Sequence, residues 1–109
     1  MPKTNDQRKK LCSTCPLAKT SDLVGDFWVL LIVRDLLTGP KRFGELEASL
    51  SDISTRTLTI KLSFLLEEGI IKRTAFREKP PRVEYTLTPK GKALESVAKS
   101  MRKYGETYL

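Results

Sequence analysis

At 109 residues and 12.4 kDa, the chain is long enough to bury one domain core without metal or disulfide staples. Its 20 Lys and Arg against 13 Asp and Glu leave a net charge of +7 and a pI near 9.6, while 39 % hydrophobic and 30 % charged residues describe a globular chain. The absence of histidine excludes Ser-His-Asp and Cys-His catalytic units and His-ligated metal, and two cysteines cannot make a disulfide-dense secreted scaffold.

The longest apolar run, Phe27–Val33, falls far short of the roughly 20 residues of a membrane span, and the polar N-terminus has no secretory h-region. A basic, cytoplasmic binding protein is expected, with no catalytic residue, metal site, cofactor or membrane partner.

Residues 1–11 are polar and basic (Lys3, Arg8, Lys9, Lys10) and predict a flexible arm, followed by one domain over 12–109. Pro16 suits the first position of a short helix running to about Val24, with Cys15 before it and Gly25 ending it. Asp26 is a good N-cap for a helix over Phe27–Leu37. Apolar residues fall almost all round that helix until Arg34 and Asp35, so it is expected at the buried centre. Gly39-Pro40 stops it. Phe43, Leu46 and Leu50 then share one face at i, i+3 and i+7, predicting a third, short helix.

Ser51-Asp52-Ile53 is a tight connection, and Ser54 caps a fourth helix that runs to about Glu68 and ends at Gly69. Leu58, Leu62, Leu65 and Leu66 form its core stripe. Ile70–Phe76 and Arg82–Leu87 alternate as half-buried strands around the polar loop Arg77-Glu78-Lys79-Pro80-Pro81. Thr88-Pro89 opens a last helix, in which Leu94, Val97, Met101, Tyr104 and Tyr108 recur at steps of 3, 4, 3 and 4. The order predicts a mostly helical α+β fold.

A short helix, a tight turn and a longer helix with a polar, basic leading end read as a helix-turn-helix. A major groove about 12 Å wide admits one helix, which needs an apolar face to anchor it and short polar or cationic side chains at its start. Ser54 caps such a helix, and Thr55, Arg56, Thr57, Thr59 and Lys61 are placed to approach bases or adjacent phosphates. Arginine pairs bidentately with guanine, and threonine bonds a base edge or touches a thymine methyl. The hairpin then reads as a wing whose Arg77, Lys79 and Arg82 neutralise phosphates, with Lys41 and Arg42 doing the same before the third helix. Double-stranded DNA is the partner this winged helix implies. A generic α+β domain with a solvated charged face fits the element order as well.

At this point a family resemblance emerges. Cys15-Pro16, Val24-Gly25, Phe27-Trp28, Leu30-Leu31-Ile32, Gly39-Pro40 and Arg42-Phe43-Gly44-Glu45-Leu46 resemble the HxlR-type winged helix-turn-helix transcriptional regulators of the MarR-like superfamily. So do Ile53-Ser54, Leu58-Thr59, Leu62, Leu65-Leu66-Glu67, Gly69-Ile70-Ile71, Pro80-Pro81-Arg82-Val83-Glu84-Tyr85-Thr86-Leu87-Thr88 and Gly91. The match covers about residues 12–105. It implies a homodimer on a pseudo-palindromic operator, with the terminal helices pairing the protomers. Two departures stand out: Ile60 where the family usually has a polar residue, and Asp26-Phe27 where Gly-Lys is commoner.

A dimer also follows from the operator, because two-fold sites need two reading heads about one helical turn apart. The stripe Leu94, Val97, Met101, Tyr104 and Tyr108 can form a helix–helix seam, and Leu17 on the first helix joins the expected dimer surface. Leu94 and Val97 can equally pack on their own chain, whereas Tyr104, Tyr108 and Leu109 lie too far out.

Cys12-Ser13-Thr14-Cys15 is a CxxC motif, but one chain without histidine or a second CxxC cannot complete tetrahedral zinc. A thioredoxin-like reading lacks the preceding strand. Cys15 precedes Pro16 at a helix start, where unpaired N–H groups and nearby Lys9, Lys10 and Lys19 favour a thiolate. An inert, small, apolar role is the alternative. The resemblance implies electrophile or oxidant sensing at Cys15, and the residues themselves offer two oxidised forms, Cys12–Cys15 or Cys15 joined to Cys15 of a second protomer. Trp28 and Tyr85 are expected in the core, and Glu67, Glu68 and Glu84 as ion-pair partners of Arg73 or Arg82 rather than catalytic acids. Other functions compatible with the residues are a non-specific architectural DNA binder, a winged-helix protein-interaction module and a dithiol oxidoreductase. A small-molecule effector is neither indicated nor excluded.

Overall fold

The computed structural model describes residues 10 and 14–109, and the expected elements follow one another in the expected order. Apart from Lys10, the arm expected over 1–11 lies outside the described residues, as does Cys12. Helix α1 (Pro16–Val24) starts on its proline and closes at Gly25, whose N–H donates to the Ser21 carbonyl at 2.7 Å. Helix α2 (Phe27–Leu36) starts because Asp26 Oδ1 accepts from the N–H groups of Trp28 (2.9 Å) and Val29 (3.2 Å), donors that a helix start leaves unpaired.

Val29, Ile32, Val33 and Leu36 bury the inner face of α2. The helix is central but not covered all round, since Phe27 remains 70 % exposed and stacks edge-on against Trp28 at 5.1 Å. A domain this small has too few neighbouring elements to enclose a whole helix. Trp28 and Tyr85 are partly buried and pack against the core, as expected.

Helix α3 (Phe43–Ser49) contributes Leu46, and α4 (Thr55–Glu67) contributes Leu58, Leu62 and Leu65. Gly69, at φ 71°, turns α4 into the hairpin through the left-handed region that side-chain-bearing residues avoid. Strands β1 (Ile71–Phe76) and β2 (Arg82–Leu87) pair antiparallel, with Ile71 opposite Leu87 and Phe76 opposite Arg82. Lys41 adds an isolated bridge to Tyr85, through Lys41 N–H to Tyr85 O at 3.0 Å and Tyr85 N–H to Lys41 O at 2.7 Å. That bridge ties the segment before α3 to the hairpin. Leu50, Ile53, Ile70 and Leu94 complete the core, and no buried polar or charged residue lies among the described residues. No helix among them is long and apolar enough to cross a membrane.

The single C-terminal helix expected from periodicity is divided into α5 (Pro89–Lys92) and α6 (Glu95–Tyr108). Thr88 Oγ1 accepts from Gly91 N–H at 3.1 Å and donates toward the Gly69 and Ile70 carbonyls at 2.5 and 3.0 Å, while Lys90 Nζ donates to Glu68 O at 2.8 Å. These bonds hold α5 to the corner between α4 and β1, and Leu94 drops into the core just beyond it. The helix breaks at Ala93-Leu94, between these two tasks. A Cβ on Gly91 would stand 2.1 Å from the Ile70 carbonyl oxygen and 3.0 Å from Leu87 Cδ2. Gly91→Ala is therefore expected to destabilise the fold by about 1–3 kcal/mol. The check is a lower urea midpoint with an unchanged slope.

Candidate nucleic-acid interface

The turn between α3 and α4 is short and anchored from inside. Leu50 and Ile53 are buried at its two ends, and Ile53 N–H donates to Leu50 O at 2.7 Å. Ser54 then caps α4: its Oγ accepts from Thr57 N–H at 3.0 Å and donates to Thr57 Oγ1 at 2.9 Å. Thr55 Oγ1 donates to Glu47 Oε2 at 2.5 Å, stapling the first turn of α4 to α3. Thr59 Oγ1 donates to Thr55 O at 2.8 Å. The hydroxyl hydrogens of Thr55 and Thr59 are thus both committed within the chain.

With Leu58, Leu62 and Leu65 inward, α4 leaves Arg56, Thr59, Ile60 and Ser63 exposed at i, i+3, i+4 and i+7. Ser54 and Thr55 extend that exposed surface at its leading end, and Thr57 is half-buried beside it. Arg56 enters no ion pair among the described residues. Ile60, notable in the sequence only as a departure from the family, and Ser63, which the sequence reading passed over, both lie on this stripe, and their spacing from Arg56 is the signal that finds them.

Lys61, expected to approach bases or adjacent phosphates, is ion-paired within the chain. Its Nζ meets Asp26 Oδ2 at 2.5 Å, so the cation of mid-α4 is bound to the start of α2. Burial works against the Asp26 charge, but the bond from Lys61 and those from Val29 and Trp28 outweigh it and hold the carboxyl below its ordinary 3.8. The stabilisation from this group is thus complete above that value and is lost as pH falls through the depressed one.

The wing tip presents Arg77 and Lys79, both exposed, beside a cis Lys79-Pro80 peptide. Arg82 belongs to the wing's interior bracing. Its guanidinium lies 4.1 Å from the Phe76 ring centre, 3.0 Å from Glu78 Oε1 and 3.6 Å from Glu84 Oε2. Glu84 is thus an ion-pair partner of Arg82, as expected, and Glu78 is a second one. Arg42 is exposed at the start of α3, where its N–H donates to Glu45 Oε1 at 2.9 Å. Lys41 is half-buried, held by its backbone bridge.

The expected dimer residues divide into two groups. Leu94 and Val97 pack into the chain's own core, whereas Leu17, Met101, Tyr104 and Tyr108 are exposed. The rings of Tyr104 and Tyr108 lie 5.0 Å apart on the outer part of α6. Cys15 is a half-buried free thiol in an extended N-cap conformation before Pro16, and its carbonyl accepts from Lys19 N–H at 3.0 Å.

Comparison with known proteins places this geometry. A family model for HxlR-like helix-turn-helix proteins matches residues 23–109. The HTH-type transcriptional regulator sll1512 of Synechocystis sp. is 41 % identical over 95 residues, covering 87 % of this chain and 70 % of that protein. A solved MarR-family transcriptional regulator from Porphyromonas gingivalis superposes with a TM-score of 0.83 at 35 % identity, covering 88 % of this chain and 94 % of its own. The reduced transcriptional regulator YodB from Bacillus subtilis superposes at 0.78 with 35 % identity, over 87 % of this chain and 94 % of its own. The HTH surface, the braced wing and these matches agree: the chain is a transcriptional regulator with a winged helix-turn-helix DNA-binding fold and belongs to the HxlR-like family.

Proposed function

We propose that the protein acts as a homodimer on a pseudo-palindromic operator, with one α4 in the major groove of each half-site. The exposed stripe of Arg56, Thr59, Ile60 and Ser63, directly opposite the buried leucines of α4, is the observation that carries this reading. Ser54, Thr55, Arg56, Thr57 and Thr59 meet bases or adjoining phosphates, while Lys41, Arg42, Arg77 and Lys79 hold the backbone. Arg82 acts by shaping the wing. Leu17 of α1 and Met101, Tyr104 and Tyr108 of α6 supply an apolar surface for the second protomer, which buries what one chain leaves open. The protein does its work in the cytoplasm and catalyses no reaction.

The test is selection of random duplexes by the reduced protein at near-physiological salt. A two-fold symmetric consensus is the expected result. Bound DNA without any consensus would instead assign a non-specific architectural role, and no retained duplex from folded protein would assign a protein-interaction role.

We further propose that Cys15 makes binding responsive to oxidants. It is a free thiol at a helix start, and the similar YodB has been solved both reduced and after diamide treatment. Diamide is expected to weaken operator binding by the wild type and to leave Cys15→Ser unaffected, as read in a mobility-shift titration. Equal loss in both proteins would remove Cys15 from the response.

A further inference from the structure

We propose that Asp26 withholds Lys61 from DNA phosphates and uses it to seat α4, making Lys61 a positioning residue of the reading helix. This rests on the DNA-binding reading above. The two oxygens of Asp26 have separate tasks. Oδ1 accepts from Trp28 and Val29 N–H, which fixes the carboxylate at the start of α2, and Oδ2 takes Lys61 Nζ at 2.5 Å. The partners lie 35 positions apart in sequence, so the pair joins the start of the central helix to the middle of the reading helix.

The two side chains are 31 % and 26 % exposed, so the pair is partly removed from water and less screened by salt than an open surface pair. Lys61 also sits at i+3 from Leu58 and i−4 from Leu65, flanking the buried stripe of α4 rather than its exposed one. To reach a phosphate, Lys61 would have to abandon a carboxylate that two backbone bonds hold in place. A cation on the reading helix is in this way kept out of sequence-independent attraction.

The experiment compares wild type, Asp26→Asn, Lys61→Met and the double variant on random and selected duplexes over a range of salt. Asparagine keeps an oxygen for the two N–H groups, and methionine keeps an apolar stem, so both variants are built to fold, with thermal melts as the check. Asp26→Asn is expected to tighten random-duplex binding and to steepen the plot of log K against log salt by about 0.9 per protomer, as one freed cation would. Lys61→Met is expected to leave that slope unchanged while lowering the ratio of selected to random binding. The gain of Asp26→Asn should vanish in the Lys61→Met background.

A slope flattened by about 0.9 per protomer in Lys61→Met would show an existing phosphate contact and overturn the proposal. So would a gain that persists in the double variant, since Asp26 would then act by repulsion alone. Wild-type binding without sequence preference would overturn the operator reading, yet the slopes would still decide the role of Lys61. Failure of the wild type to bind any duplex would overturn both.

Discussion

Replacing Arg56 with alanine is expected to weaken binding to the selected duplex by about 1–3 kcal/mol, roughly 5- to 150-fold, and to relax base preference at one position per half-site. Random duplex should be bound almost as before. Arg56 is exposed in the first turn of α4 and has no ion pair among the described residues, so its guanidinium is free for a bidentate base contact. Lys79→Ala is the contrasting control. A free cation at the wing tip should lower affinity for all sequences alike and flatten the salt dependence. Titrations of both variants on both duplexes check the division. Equal losses for Arg56→Ala on selected and random DNA would mean that the arginine holds only backbone.

Leu58→Ala, two residues along the same helix, is expected to act in the opposite way. Leu58 is 0 % exposed and lies in the cluster that joins α2, α3 and α4. Truncating it removes apolar contact and leaves a cavity, at a cost of about 2–5 kcal/mol. For a domain of this size each kcal/mol corresponds to a fall in Tm of roughly 4–8 °C. The loss should appear in thermal and urea unfolding, and the folded fraction should retain its base preference. A variant that melted like wild type but had lost preference would place Leu58 outside the core.

Much of this could be read from local pattern. The capping residues Asp26, Ser54 and Thr88, the proline at the start of α1 and the glycine after α4 act within a few positions of themselves, so element starts and stops were visible in the chain. The leucine spacing of α4 fixed which side faces inward, and hence that Arg56 and Thr59 face out. The alternation of the two strands and the polar loop between them set the hairpin.

Contacts between distant positions were not visible in the same way. Lys61 read as a free cation because residue type and neighbourhood say nothing of a carboxylate brought up by folding, and Arg82 read both as a phosphate contact and as a partner of nearby Glu84, with nothing local to choose between them. Asp26 reaches Lys61 across two helices, and Glu78, Glu84 and Phe76 close round Arg82 only once the hairpin register is formed. The helix break at Ala93-Leu94 likewise escaped periodicity, because its cause is α5 tied to the Gly69-Ile70 corner and not a local breaker. Sequence alone determined the elements, the buried faces and the candidate reading helix, since those depend on short-range geometry and amphipathic spacing. Tertiary structure decided which charges remain free for a partner, because an ion pair exists only where the fold brings its two ends together.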